Sequence, residues 1–131
     1  MRDLSGDAAS VAPPRHVARG VHWLIDCHGV AGVRLADAAL LEATLCAAAD
    51  DAGAERLFQH FHRFGTSADA GVTGVVLLAE SHITIHTWPD QGFAAIDLFL
   101  CGATKPERAL DRIERALMPE RVVTVRQARG A

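Results

Sequence analysis

The chain has 131 residues, 50% of them hydrophobic and 22% charged, which suits one globular domain with an ordinary core and leaves no room for a second. Its formal net charge of −3 lacks the basic footprint of a nucleic-acid binder. Three cysteines, Cys27, Cys46 and Cys101, with no CxxC spacing, argue against a disulfide framework or a zinc knuckle and for a reducing compartment.

Residues 1–17 mix Ser, Gly, Ala and Asp with a Pro13–Pro14 pair and no period, so they read as a disordered tail ahead of a single domain over 18–131. Val21 to Cys27 alternates as a half-buried strand does, and Gly29 and Gly32 break it. From about Leu35 to Ala52 an alanine-rich stripe through Leu41, Leu45 and Ala48 predicts one amphipathic helix, stopped by Gly53. Leu57–Phe64 reads as an edge strand and Val72–Ala79 as a central one, joined through TSADAG. Ser81 to Trp88 alternates again, with Ser81, Ile83, Ile85 and Thr87 on one face and His82, Thr84, His86 and Trp88 on the other. After a turn at Pro89–Gly92 come a strand from Phe93 to Cys101, a helix from Pro106 to Met118 and a short strand from Val122 to Val125.

This order predicts an α+β fold, a two-layer sandwich of a mainly antiparallel sheet with two helices packed on one face. The bare face of so apolar a sheet calls for a partner, and a second copy of the chain is the simplest one. No run approaches the roughly 18 apolar residues of a membrane span and no secretory leader is legible. The expected protein is therefore cytoplasmic, without membrane or nucleic-acid partners.

Lys105 is the only lysine. Thr104 and Glu107 flank it in capping-box spacing, which places it at an exposed helix start and disfavours pyridoxal-phosphate chemistry. Reactive side chains concentrate at Glu80-Ser81-His82, with His86 and Cys101 nearby. On a strand, His82 and His86 stand about 13 Å apart, too far for one ion. His60 and His62 are close enough to chelate but lack a third ligand, so no metal is expected. Ser81 is outside a GxSxG elbow and follows a carboxylate, which speaks against a serine hydrolase. A Cys101–His86 nucleophilic pair is formally open. Standing alone, Asp26, Asp90 and Asp97 read as solvated carboxylates, and Phe64 and Trp88 as core.

The segment GVTGVVLLAESHITIHTWPDQGFAAIDLFLCG, with FHRF at Phe61–Phe64 and the opening strand RGVHWLIDCHGV, resembles the small prokaryotic pyruvoyl-dependent S-adenosylmethionine decarboxylases over roughly residues 19 to 126. The resemblance implies a proenzyme that cuts itself between Glu80 and Ser81 into a β chain, 1–80, and an α chain, 81–131. It further implies that Ser81 becomes a covalent pyruvoyl group that forms a Schiff base with the substrate, with no pyridoxal phosphate and no metal. His86 matches the processing base, Cys101 the proton donor, and Thr73 a hydroxyl that supports processing. Phe64 matches an aromatic that stacks on adenine, and Asp90 stands where the family usually has a Glu that holds the ribose. The implied assembly is an α2β2 homodimer with the active site at its interface. The implied reaction makes decarboxylated S-adenosylmethionine, the aminopropyl donor for spermidine. Relatives with the same chemistry act on arginine or ornithine, and an uncut binding protein is the non-enzymatic alternative.

Overall fold

A computed structural model describes residues 19–130; the expected tail over 1–17 lies outside them. The elements are β1 (Gly20–His28), α1 (Gly32–Leu35), α2 (Ala38–Ala52), β2 (Arg56–Arg63), β3 (Val72–Leu78), β4 (Ser81–Trp88), β5 (Phe93–Cys101), α3 (Pro106–Leu117) and β6 (Arg121–Arg129), with a 3-10 turn at Pro89–Gln91. The six strands form one sheet in the order β2-β3-β4-β5-β1-β6, and every pairing is antiparallel. β2 is an edge and β3 is interior, as their patterns predict.

Alternation divides the sheet. Ile25, Cys27, Val72, Val76, Ile83, Ile85, Ile96 and Leu98 are fully buried beneath Leu41, Leu45 and Ala48 of α2 and Ala109, Ile113 and Leu117 of α3. Burying side chains of this size contributes about 1.5–3 kcal/mol each, so this layer holds the fold together. Two close approaches tighten it. The Phe61 ring lies against the backbone of Gly74, where any Cβ would collide, and Gly71 presses against the Thr87 carbonyl in the same way.

No helix of the described residues covers the opposite face. It presents Leu24, Leu77, Val123 and Val125 at 41%, 44%, 41% and 58% exposure, together with the polar side chains His22, Thr73, His82, Thr84, His86, Asp97 and Cys101, which the strand registers place on it. No helix among the described residues is long and apolar enough to cross a membrane.

Three local expectations are corrected. The helix expected from Leu35 is two: α1 ends at Leu35, and Asp37 starts α2 by accepting a hydrogen bond from the Leu40 N–H at 3.0 Å. A carboxylate at an N-cap satisfies an otherwise orphaned amide, and this outweighs the continuous apolar stripe. The stop at Gly53 stands, with φ of 82°. Thr104 is not the cap of α3. Its hydroxyl donates to the Cys101 carbonyl at 2.9 Å, closing the turn around Gly102, and Lys105 takes the N-cap position without a side-chain bond. Lys105 is nonetheless exposed at the helix start, as expected. The last strand runs to Arg129, because β6 pairs with β1 along its full length. Its outer residues are polar, and backbone pairing rather than burial carries them.

Candidate active site

Leu78 and Ser81 pair across a two-residue hairpin, Ala79-Glu80. Of the two turn residues only Glu80 has positive φ, 63°, whereas the favoured type I′ turn puts both there. A side chain bearing a Cβ pays roughly 1–2 kcal/mol for that conformation. The Glu80–Ser81 peptide therefore follows directly on a strained residue at an exposed turn. Cys101 ends β5, and its thiol donates to the Glu80 carbonyl oxygen at 3.1 Å. Gly20 on the neighbouring strand makes room: a Cβ there would stand 2.8 Å from Cys101 Sγ. The Ser81 hydroxyl donates to the Ala79 carbonyl at 3.4 Å, a long bond that is easily exchanged. Ser81, Glu80 and Cys101 thus form one centre.

The thiols differ. Burial pushes Cys27 up to about 12 and raises Cys46 as well, so both are protonated, inert packing groups. All three cysteines are free.

A second centre lies toward the other end of β4. His86 pairs with Thr73 across the β3–β4 ladder, and Thr73 Oγ1 sits 3.0 Å from His86 Nδ1. That bond orients the ring and leaves Nε2 for proton transfer. Both side chains line a cavity of about 270 Å³ together with Phe64, Asp69, Trp88 and Asp90. Asp90 enters from the 3-10 turn, which Gly92 closes with φ of 61°. Thr87 fastens the floor, donating to the Leu35 carbonyl at 2.7 Å and accepting from the Val72 amide at 2.9 Å. Phe64 and Trp88 are not core: they are 64% and 41% exposed, and exposed rings beside a cleft are suited to stacking on a flat ligand. Phe64 also leans on His62, with ring centroids 4.6 Å apart.

The structure gathers Thr73, His86, Phe64 and Asp90 in one place and Glu80, Ser81 and Cys101 in another, but it does not bring the two groups together within one chain. β4 is continuous from Ser81 to Trp88, so His86 stands five positions after Ser81, about 16 Å at roughly 3.3 Å per residue. Their side chains also leave opposite faces of the strand. Between the centres, on the helix-free face, His22 Nε2 is 3.4 Å from Asp97 Oδ2, and its ring meets His82 edge-on at 6.3 Å between centroids. Burial, then the neighbouring His22, hold the His82 pKa below the ordinary histidine value. No group of three metal-ligating side chains occurs among the described residues.

Sequence reasoning missed Asp69 and Thr87 as parts of the cavity and read Trp88 as core. The alternation of β4 already put Trp88 on the face of His86. Nothing local marked Asp69, whose place depends on how its loop folds back. A larger cleft between α2 and α3, about 610 Å³, is lined by Asp50, Asp51, Asp111 and Arg115 among others. Three of its carboxylates are paired, Asp50 with Arg56, Asp51 with Arg112 and Asp111 with Arg115, and its lining holds no nucleophile.

Known proteins are similar to this chain in sequence and in fold. The S-adenosylmethionine decarboxylase family profile matches residues 21–130. The S-adenosylmethionine decarboxylase proenzyme of Sulfurihydrogenibium sp. (strain YO3AOP1) is 41% identical over 104 residues, 79% of this chain and 76% of the relative. That of Thermotoga maritima is 46% identical over 92 residues, 70% and 68% of the two chains. The crystal structure of the adenosylmethionine decarboxylase from Aquifex aeolicus VF5 superposes with a TM-score of 0.78 at 35% identity, covering 87% of this chain and 92% of that one. With the profile spanning nearly the whole described chain and the fold agreeing, the protein belongs to the S-adenosylmethionine decarboxylase family.

Proposed function

We propose that the protein is a self-processing, pyruvoyl-dependent decarboxylase that converts S-adenosylmethionine to its decarboxylated form, the aminopropyl donor of spermidine synthesis. The observation that carries this reading is the hydrogen bond from Cys101 to the carbonyl of Glu80, made across the strained turn whose next peptide the family's proenzymes would cut.

The Cys101 thiol polarises the Glu80 carbonyl, and the Ser81 hydroxyl, one residue away, attacks its carbon at the high effective concentration of a tethered group. The C–N bond breaks, an ester joins Glu80 to Ser81 Oγ, and the strain at Glu80 is relieved. A base then takes the Ser81 α-proton and the Glu80 carboxylate leaves with the ester oxygen. Water replaces the freed nitrogen as ammonia, leaving a ketone at residue 81. The products are a β chain, 1–80, and an α chain, 81–131. The pyruvoyl group supplies a carbonyl that condenses with the substrate amine and draws electrons from the departing carboxylate. Cys101, whose thiol lies at the Glu80–Ser81 junction where that group would form, is suited to return a proton to the substrate carbon.

His86 is the base, oriented by Thr73, and the geometry favours its acting on a second copy of the chain. The helix-free face exposes Leu24, Leu77, Val123 and Val125 among its polar residues, and a two-fold axis parallel to the sheet, between two such faces and across β4, would set the His86 end of one copy over the Ser81 end of the other. Each α2β2 dimer then holds two composite sites, in which Phe64 stacks on adenine and Asp90 takes the ribose hydroxyls. The free thiols suit a cytoplasmic location.

Intact-mass analysis of purified protein, followed by incubation with S-adenosylmethionine, arginine and ornithine in turn, tests the reading. Two fragments with a ketone at residue 81, and carbon dioxide from S-adenosylmethionine, are expected. A single uncut chain, or carbon dioxide from arginine or ornithine alone, overturns it.

A further inference from the structure

Resting on that reading, we propose that Asp69 is a specificity-determining residue of the nucleoside pocket, its carboxylate accepting a hydrogen bond from a sugar hydroxyl alongside Asp90.

Asp69 and Asp90 come from different segments, the β2–β3 loop and the turn after β4, yet both line the cavity that holds Phe64 and Trp88. The loop is built rather than slack. Phe64 N–H donates to the Gly71 carbonyl at 2.9 Å, clamping its ends. The Ser67 carbonyl accepts from Arg63 Nη2 at 2.8 Å and from the Ala70 amide at 3.1 Å. Ala70 is buried at 7% exposure, and Gly71 is pressed against the Thr87 carbonyl. Inside this frame the Ser67 hydroxyl donates to Asp69 Oδ1 at 2.9 Å. One carboxylate oxygen is thereby fixed, and Oδ2 has no partner among the described residues. Asp69 and Pro89 also border a wider groove of about 830 Å³, so Asp69 stands on the wall between a pocket for the base and an open path.

Chemistry selects its ligand atom. Water screens the attraction of an exposed carboxylate for a sulfonium to a weak one, and a sulfonium has no hydrogen to donate. A hydrogen bond to an ionised group is stronger and directional. A vicinal diol offers two donors, and two carboxylates converging beside stacking rings offer two acceptors.

The test uses the processed enzyme. Asp69→Ala is expected to be cut normally, because Asp69 is neither the attacking hydroxyl nor the base of the proposed processing, and to raise KM for S-adenosylmethionine about tenfold with little change in kcat. Asp69→Asn, which keeps an acceptor oxygen, falls between the two. Calorimetry sharpens this: the parent prefers 5′-methylthioadenosine over its 2′,3′-dideoxy analogue, and Asp69→Ala loses most of that preference. If KM and diol preference are unchanged in Asp69→Ala while the parent binds and discriminates, the role of Asp69 is refuted and the decarboxylase reading survives. A processed parent that binds neither nucleoside refutes both.

Discussion

The two ends of β4 perform their work by different means. At the Ser81 end the chemistry is in the backbone: a left-handed Glu80, its carbonyl held by Cys101, and a glycine at position 20 that lets the thiol approach. At the His86 end it is in side chains that line a pocket, with Thr73 orienting an imidazole and two rings and two carboxylates around a cavity. On the proposed mechanism the first end is consumed once and the second binds repeatedly. Neither is complete alone, and the length of one strand keeps them apart, so a symmetric pair of chains is the economical way to unite them.

The sharpest way to break this comparison is complementation. Ser81→Ala and His86→Ala each abolish conversion to the two mature fragments when expressed alone. Coexpressed, mixed dimers place the intact His86 of the first variant over the intact Ser81 of the second, so the His86→Ala chain is cut while the Ser81→Ala chain stays whole, as intact mass will show. If neither chain is cut in demonstrable mixed dimers, the base is not acting between chains.

The next largest effect falls on Cys101. Cys101→Ala is expected to cut more slowly and, once cut, to lose about a hundredfold or more in kcat with little change in KM, the scale for losing a positioned proton donor. Full single-turnover activity in that variant removes the thiol from the reaction. Gly20→Ala probes the same end more gently. Its Cβ would stand 2.8–2.9 Å from Cys101 Sγ, the Leu100 carbonyl and the Phe99 ring, and overpacking of this kind costs about 1–3 kcal/mol. A lower melting temperature together with slower cutting is expected; an unchanged cutting rate would show that the thiol position is not set by this contact.

The smallest effect concerns the ground between the ends. The pKa of His82 is lowered in the folded state by burial and by His22, so below the ordinary histidine value of about 6.5 the unfolded chain takes up more protons than the folded one. Stability is full above that pH and declines as pH falls through the window beneath it. Urea unfolding of the processed protein at pH 7.5 and 5.5 should show that decline, and His82→Gln should reduce it. An equal decline in the variant would assign it to other groups.

Much of the molecule was legible before it was folded. Period-two alternation is a local property, so β1 and β4 and the face assignments of Ser81 and His86 followed directly from the residues, while the apolar run of β3 marked it as interior. The expected break of α2 at Gly53 came from a residue whose φ could be anticipated. Failures occurred where a short polar side chain had a choice of partners. Asp37 captured an amide and divided a helix, whereas Thr104 turned back to the Cys101 carbonyl instead of forward to α3. β6 was read short because an edge strand needs no apolar alternation at Arg126 to Arg129.

The sequence by itself determined the inventory: one sheet with an uncovered face, two helices on the other, a hydroxyl after a carboxylate, a histidine and a thiol in fixed order, and only one lysine. Tertiary structure decided the distances between them. It opposed Cys101 to Glu80 across two strands' worth of chain, moved Phe64 and Trp88 out of the core, folded Asp69 into a pocket with Asp90, and held Ser81 and His86 apart. Pairing register and loop return depend on contacts between residues far apart in the chain, and no local pattern encodes those lengths.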